Sequence, residues 1–210
     1  MTFSFDRSPL LKIIDQYQKN THLIYKDNFT DQKEVVENFY KFVDSNPNCF
    51  SRENLEGHIT GSSFVVNKNF TKVLFTYHAK LHRWLQLGGH ADGEIIIQQV
   101  ALKEAQEESG MEQFQFVDIL NFPKLVSTDK CLEVIPFDLD IHLIPQRKNE
   151  PEHYHYDVRF ILRAEEEDFK ISAESLDLKW LELSEISNYT SEKSTLRQVK
   201  KLLYLLKNYY

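Results

Sequence analysis

Glycine is scarce in this chain. Six glycines in 210 residues is under half the roughly 7% of an average protein, and four of the six, Gly88, Gly89, Gly93 and Gly110, fall within one 23-residue window. A chain that otherwise avoids glycine has placed it where the backbone must turn sharply or come close to something. Basic charge is also short: the formal net charge is −7, pI is near 5.6, and no stretch collects five or six basic residues. That argues against binding a nucleic-acid polymer by charge neutralisation, although a single nucleotide stays accessible where metal ions neutralise its phosphates. No 18-residue apolar run occurs, and Asp6 and Arg7 stand where a signal peptide needs its apolar region, so the chain is expected to be soluble and cytoplasmic, without a membrane partner. Cys49 and Cys131 are isolated, without CxxC spacing or a histidine motif; they read as small buried hydrophobes, not as a disulfide or a zinc site.

What is present is globular. The hydrophobic fraction of 41% and charged fraction of 27% are near average, and the length allows one generous domain or one domain with a terminal extension. Leu10, Leu11, Ile13, Ile14 and Tyr17 mark a first amphipathic helix. Asp31 and Glu34 form a capping-box-like start to a second, with Val35, Val36, Phe39, Tyr40, Phe42 and Val43 on its apolar side until Asn46 and Pro47 stop it. Residues 1–50 are thus expected to be a helical extension capping a core in 51–210. Ser63–Asn67 and Lys72–His78 predict a hairpin, Glu94–Ser109 a helix, and Phe114–Leu120, Glu133–Ile144, Tyr154–Leu162 and Leu178–Leu183 further strands. Ser191–Asn208 predicts a final amphipathic helix. Helices at both ends, one in the middle and many strands between predict a layered α/β chain.

The glycine window carries chemistry. In WLQLGGHADGEIIIQQVALKEAQEESGM, Trp84 to Met111, the helix places Glu104, Glu107 and Glu108 at i, i+3 and i+4. Three carboxylates then share one face about 5–6 Å apart and repel one another. A divalent cation with oxygen ligands is the usual compensation, and Mg²⁺ prefers carboxylates combined with phosphates and water. A solvated acidic helix face is the plain alternative, weakened here because the helix follows a Gly-Gly turn and ends at Gly110.

These residues resemble the Nudix box: G, five residues, E, seven residues, then R-E-U-x-E-E-x-G-U, with U bulky and aliphatic. With Gly89 as the first glycine, Glu104, Glu107, Glu108, Gly110 and Met111 fall in register and Ala105 matches loosely. Two glycines and three glutamates at fixed spacing arise by chance with a probability on the order of 10⁻⁴ in such a chain. There are two departures: Ile95 stands where the first glutamate belongs, and Lys103 replaces arginine. Lys103 lies one turn before Glu107 and can reach it, with a point charge instead of a guanidinium fork. Glu94 is adjacent to Ile95, but one residue turns a helical side chain by roughly 100°. The resemblance covers about Gly57 to Tyr189, and the phrase RWLQLGGHADG with HYHYDVRF resembles one branch of the superfamily.

The resemblance implies an α/β/α Nudix sandwich with a mixed sheet, flanked here by the N-terminal helical extension and a C-terminal helix, with the Nudix hydrolase domain in 51–210. It implies hydrolysis of a pyrophosphate linkage in a nucleoside diphosphate joined to another moiety, by a water activated by Mg²⁺ or Mn²⁺. Glu104, Glu107 and Glu108 would be metal ligands and catalytic residues, and the carbonyl of Gly88 would complete the coordination. Family members often add an acidic residue from a loop before a late strand. Glu174, six residues ahead of Trp180, fits that place, with Asp177 and the Glu165–Glu167 run as rivals. Many members are dimers, and 27 aromatic residues (15 Phe, 10 Tyr, 2 Trp) leave material for a homodimer interface.

One more pattern stands apart. In PEHYHYDVRF, His153, His155, Asp157 and Arg159 alternate, so on a strand all four leave one face, with Tyr154, Tyr156, Val158 and Phe160 on the other. Such a stripe is either the solvated side of a sheet or a place for substrate phosphate or a second metal. Arg83 and His90, beside the Gly-Gly turn, are further candidates for phosphate contact. A small nucleotide is the substrate that the resemblance implies. The alternative is a Nudix-fold ligand sensor or partner-binding protein with little catalysis, for which Ile95 and Lys103 would be the signs.

Overall fold

The computed structural model describes residues 4–25, 32–79, 81–147, 151–171 and 175–210. Asp31 and Glu174 lie outside the described residues. Among the described residues the chain runs α1 (Ser8–Tyr25), α2 (Gln32–Ser45), β1 (Gly57–Val66), β2 (Lys72–His78), β3 (Arg83–Leu85), β4 (Leu87–His90), α3 (Ile97–Ser109), β5 (Phe114–Val117), β6 (Leu125–Val126), β7 (Asp138–Ile144), β8 (His153–Ala164), β9 (Ser175–Glu182) and α4 (Lys193–Tyr209).

The strands form one mixed nine-stranded sheet, with a spine in the order β3-β2-β1-β8-β5-β6. At its centre β1 and β8 run parallel over ten residue pairs, from Gly57↔Tyr154 to Val66↔Arg163. The other edges of these two strands are shared. β4 pairs with the middle of β1 and β2 with its end, while β7 pairs with the first half of β8 and β5 with its end.

Side-chain alternation divides the sheet into two faces. Ile59 and Val65 of β1, with Val158, Phe160 and Leu162 of β8, belong to a core shared with Val100, Ala101 and Ala105 of α3. The same core includes Leu10, Ile14 and Tyr17 of α1 and Phe39, Phe42 and Val43 of α2. Tyr156 lies flat on Phe42, ring centroids 3.7 Å apart. On the other face Phe64, Val66, Phe75 and Ile161 pack with Val199, Leu202 and Leu205 of α4. Both cysteines are free and buried. No helix among the described residues is long and apolar enough to cross a membrane.

β1 begins at Gly57 and β9 at Ser175, ahead of the predicted Ser63 and Leu178, and three other boundaries move for a local reason. The middle helix starts at Ile97, not Glu94, because the Glu94 carboxylate accepts the Ile96 N–H at 2.8 Å and holds the preceding loop in a turn. The strand from Phe114 stops at Val117, where Asp118 accepts the N–H groups of Leu120 and Asn121 and starts a 3₁₀ turn. The strand expected from Glu133 begins at Asp138, after a 3₁₀ segment over Thr128–Glu133.

Candidate active site

The box assembles from β4, α3 and the loop between them. Gly110 ends α3 in the left-handed conformation, φ 65°, with its N–H on the Gln106 carbonyl; that is the geometry for which glycine carries no Cβ penalty. At the other end the β4 backbone approaches the helix closely. A Cβ built on Gly89 would lie 2.5 Å from Cδ of Glu104 and 2.6 Å from its Oε2. The missing side chain is therefore the space that the Glu104 carboxylate occupies. Glu108 turns to the neighbouring residue: its Oε1 is 3.5 Å from the Gly88 nitrogen.

The Glu107 side chain is 60% exposed and pairs with Lys103, Nζ to Oε2 3.1 Å; the same ammonium reaches Glu104 Oε1 at 3.7 Å. The hydrogen bond to Glu107 holds the Lys103 pKa above the ordinary lysine value. Lys103 thus meets Glu107 as the spacing predicts, and bridges to Glu104 as well. Ile95 packs against the core that α3 shares with the sheet. An apolar contact stands at the box's first glutamate position, and Glu94 is engaged on the backbone of Ile96.

The stripe on β8 is not a solvated face. His153 is 4% exposed, Asp157 2% and Arg159 5%. The parallel register sets them beside β1, His58↔His155, Thr60↔Asp157 and Ser62↔Arg159, while β7 brings His142, Asp140 and Asp138 to the same three residues from the other side. Asp157 accepts the hydroxyls of Thr60 at 2.9 Å and Ser62 at 2.7 Å, the Gln86 amide at 3.2 Å and Arg159 Nε at 2.6 Å. Arg159 also reaches Asp138 at 3.4 Å and Asp140 at 3.0 Å. Across the sheet α4 contributes Arg197, which binds Asp138 at 2.8 Å and Asp140 at 3.0 Å, and Lys201, which binds Asp138 at 2.6 Å.

Burial pushes the Asp140 pKa up, but Arg159 and the other cations outweigh it and hold the carboxyl below the usual range. Asp138 behaves likewise under Lys201, Arg197 and Arg159. The Asp157–Arg159 half of the stripe is thereby bound into an ion network, and the histidine half sits at its edge beside His58 and His90.

The remaining candidates are dispersed. Arg83, on β3, is exposed and pairs with Glu192 at 2.7 Å. Glu165 pairs with Arg163 and Lys68, and Glu167 with Lys72 at 3.2 Å. Asp177 is exposed on β9, its carboxylate accepting the Leu178 N–H at 2.9 Å.

Sequence reasoning missed His58, Thr60 and Ser62, although they alternate on β1 with the same period as the stripe. The signal was there, but only the parallel register of β1 on β8 tells which face they share. It missed Asp138, Asp140, Arg197 and Lys201 because nothing local marks them as partners.

No protein-family profile matches the chain, and no curated protein is significantly similar to it in sequence. Solved structures are similar in fold. A NUDIX-family hydrolase from Clostridium perfringens superposes with a TM-score of 0.51 at 24% identity, over 70% of this chain and 97% of that one. The dihydroneopterin triphosphate pyrophosphohydrolase of E. coli superposes with a TM-score of 0.51 at 14% identity, over 68% and 92%. The fold is accordingly the α/β/α Nudix sandwich with a mixed sheet, with helices at both ends of the chain.

Proposed function

We propose that the protein is a hydrolase that cleaves a pyrophosphate linkage in a nucleoside diphosphate derivative, with Glu104, Glu107, Glu108 and the Gly88 carbonyl holding Mg²⁺ or Mn²⁺. One observation carries the reading: Glu104 occupies the space where a Gly89 side chain would be, and Glu108 reaches the Gly88 nitrogen. Two carboxylates are thereby gathered on one glycine backbone, and hard oxygen donors of this kind suit either ion. A bound divalent cation would neutralise the non-bridging phosphate oxygens and lower the pKa of a water molecule. The chain's own part is positional. Lys103 screens Glu107 from Glu104 and keeps both carboxylates on one side of α3. Glu174 is retained as a further ligand or base.

Arg83 is the exposed candidate for substrate contact. His90, His153 and His155 line the sheet face opposite α3, where Asp157 and Arg159 are engaged in the ion network and would act on a substrate only by supporting that face. The catalytic unit is 51–210, with 1–50 as its helical cap. The Nudix fold supports the reaction class and leaves the attached moiety open.

The test is release of phosphate-monoester products from a panel of nucleotide sugars, dinucleotides and nucleoside triphosphates with Mg²⁺ or Mn²⁺. Glu107→Gln and Glu108→Gln should each lower turnover by at least roughly 100-fold, since even the outer contacts of a metal site are worth 10–100-fold. Turnover unaffected by both changes would remove the box from the mechanism, and binding without turnover in the parent protein would favour the ligand sensor.

A further inference from the structure

Five of the eight histidines, His58, His90, His142, His153 and His155, gather at one end of the sheet. His58 is at the centre: the rings of His90, His153 and His155 have centroids 4.9, 4.9 and 4.8 Å from its own. It is only 2% exposed, yet neither ring nitrogen makes a hydrogen bond of ordinary geometry, the Asn54 backbone giving only a weak contact. Burying an imidazole in that way costs about 1–3 kcal/mol for a polar group left unsatisfied. The three side chains of His58, His90 and His155 each offer a ring nitrogen, and these lie within 4.8 Å of one another.

We propose that His58, His90 and His155 form a binding site for a divalent transition-metal ion of the zinc or cobalt type, separate from the glutamates of α3. The β4 register places the two sites apart: the Gly89 Cβ direction faces α3, whereas His90, the next residue, lies opposite Thr60 on the other face of the sheet. Imidazole nitrogens suit zinc, cobalt, nickel or copper far better than magnesium. Three protein ligands and one open position are the usual arrangement of an accessible zinc site. Ligand bonds of ~2.1 Å need nitrogens roughly 3.4 Å apart in a tetrahedron, so the rings close inward by about an ångström on binding.

The surroundings favour a cation over an anion. The guanidinium that acts on His58, Arg52, is paired with Asp92, and Arg159 on β8 is already held by Asp138, Asp140 and Asp157. A supporting contact also fixes a tautomer. His153 Nδ1 is 2.8 Å from the Pro151 carbonyl, which can only accept, so this nitrogen donates. With His153 Nε2 accepting from His155 Nε2, 3.2 Å away, the Nδ1 lone pair of His155 is left for the ion.

The experiment titrates the full chain, stripped with a chelator, with Co²⁺ alone, and follows visible absorption and heat. A four- or five-coordinate nitrogen site gives ligand-field bands that an octahedral, oxygen-ligated ion does not, and Zn²⁺ should displace them. The bands are expected to persist in the double variant Glu104→Gln/Glu108→Gln, which separates this site from the box and from hydrolysis. They should weaken in His90→Asn and His58→Asn, with Co²⁺ affinity at least about 10-fold lower. His90 is half-buried, so its variant tests the site even where His58→Asn fails to fold. A purely octahedral spectrum in the parent protein, bands untouched by His90→Asn, or bands abolished by the glutamate changes alone would overturn the proposal.

Discussion

Replacing Lys201 with methionine removes one charge from a balanced buried cluster and leaves the side-chain volume nearly unchanged. Lys201 and Asp138 are both fully buried, 2.6 Å apart. Around them stand three carboxylates, Asp138, Asp140 and Asp157, and three cations, Arg159, Arg197 and Lys201. The ammonium also donates to the Tyr17 hydroxyl at 2.8 Å and the Phe137 carbonyl at 3.3 Å, and lies within 5.9 Å of the Tyr17, Tyr25 and Phe137 ring centroids. The Tyr17 hydroxyl is itself 2.7 Å from the Gln32 side-chain amide. One side chain thus ties α1, α2, β7 and α4 together.

Breaking a buried pair by removing one partner costs about 3–5 kcal/mol; here Asp138 keeps Arg197 and Arg159, but the buried cluster is left with one excess negative charge. With a urea slope of roughly 2–3 kcal/mol/M for a chain of this size, Lys201→Met should lower the unfolding midpoint by about 1–2 M. Lys19→Ala is the control. It breaks an exposed pair with Asp15, side chains 69% and 42% exposed, and should move stability by no more than about 0.5 kcal/mol. Adding Asp138→Asn to Lys201→Met restores charge balance, so the double variant should lose less than the two single losses combined. A loss below about 1 kcal/mol for Lys201→Met, or strict additivity, would refute the account of this cluster.

Three further outcomes follow from the same geometry. Gly89→Ala should displace the flexible end of Glu104, not backbone, so metal-dependent turnover should fall while the unfolding free energy stays within about 1 kcal/mol of the parent's; a large stability loss with unchanged turnover would contradict it. Asp138 and Asp140 have folded pKa values below their ordinary ones, so their stabilisation is complete above about pH 4, the unfolded value, and is lost as pH falls through the folded values. Urea midpoints measured down to pH 3 should drop below pH 4, less steeply in Asp140→Asn; an identical slope would assign the acid sensitivity elsewhere. Glu107→Gln and Glu108→Gln should abolish product release without lowering thermal stability by more than about 1 kcal/mol, as read by product assay and melting of the same samples.

Much of the architecture was legible because its signals are local. The 3.6-residue period marked α1, α2, α3 and α4, and the β1–β2 hairpin followed from two apolar runs around Asn67 and Asn69. The box was legible for the same reason, since three glutamates and Gly110 lie on one helix and its cap. Boundaries shifted where a carboxylate captured backbone N–H groups, as Glu94 and Asp118 do, because such a capture depends on rotamer and not on composition.

The β8 stripe was legible as alternation but not as an interior. Whether an alternating polar face meets water depends on what covers it, and here the cover comes from β7, β1 and α4, far away in the chain. His58 carried no signal of its own, and a single histidine in a strand acquires meaning only through its neighbours across the sheet.

The parallel pairing of β1 with β8 has a consequence for when the protein becomes competent. Its partners, such as His58 and His155, are separated by nearly half of the chain, and the cations that neutralise Asp138 come later still, on α4. At about 5–20 residues per second, translation from the first strand of that pair to the second takes on the order of 5–20 s. Throughout that interval β1 has been made and its central partner has not, so the histidine cluster can form only after β8, and the buried ion network only after α4, has been made. The box, contained within β4 and α3, is complete in sequence much earlier, but the sheet face on which α3 packs waits for β8.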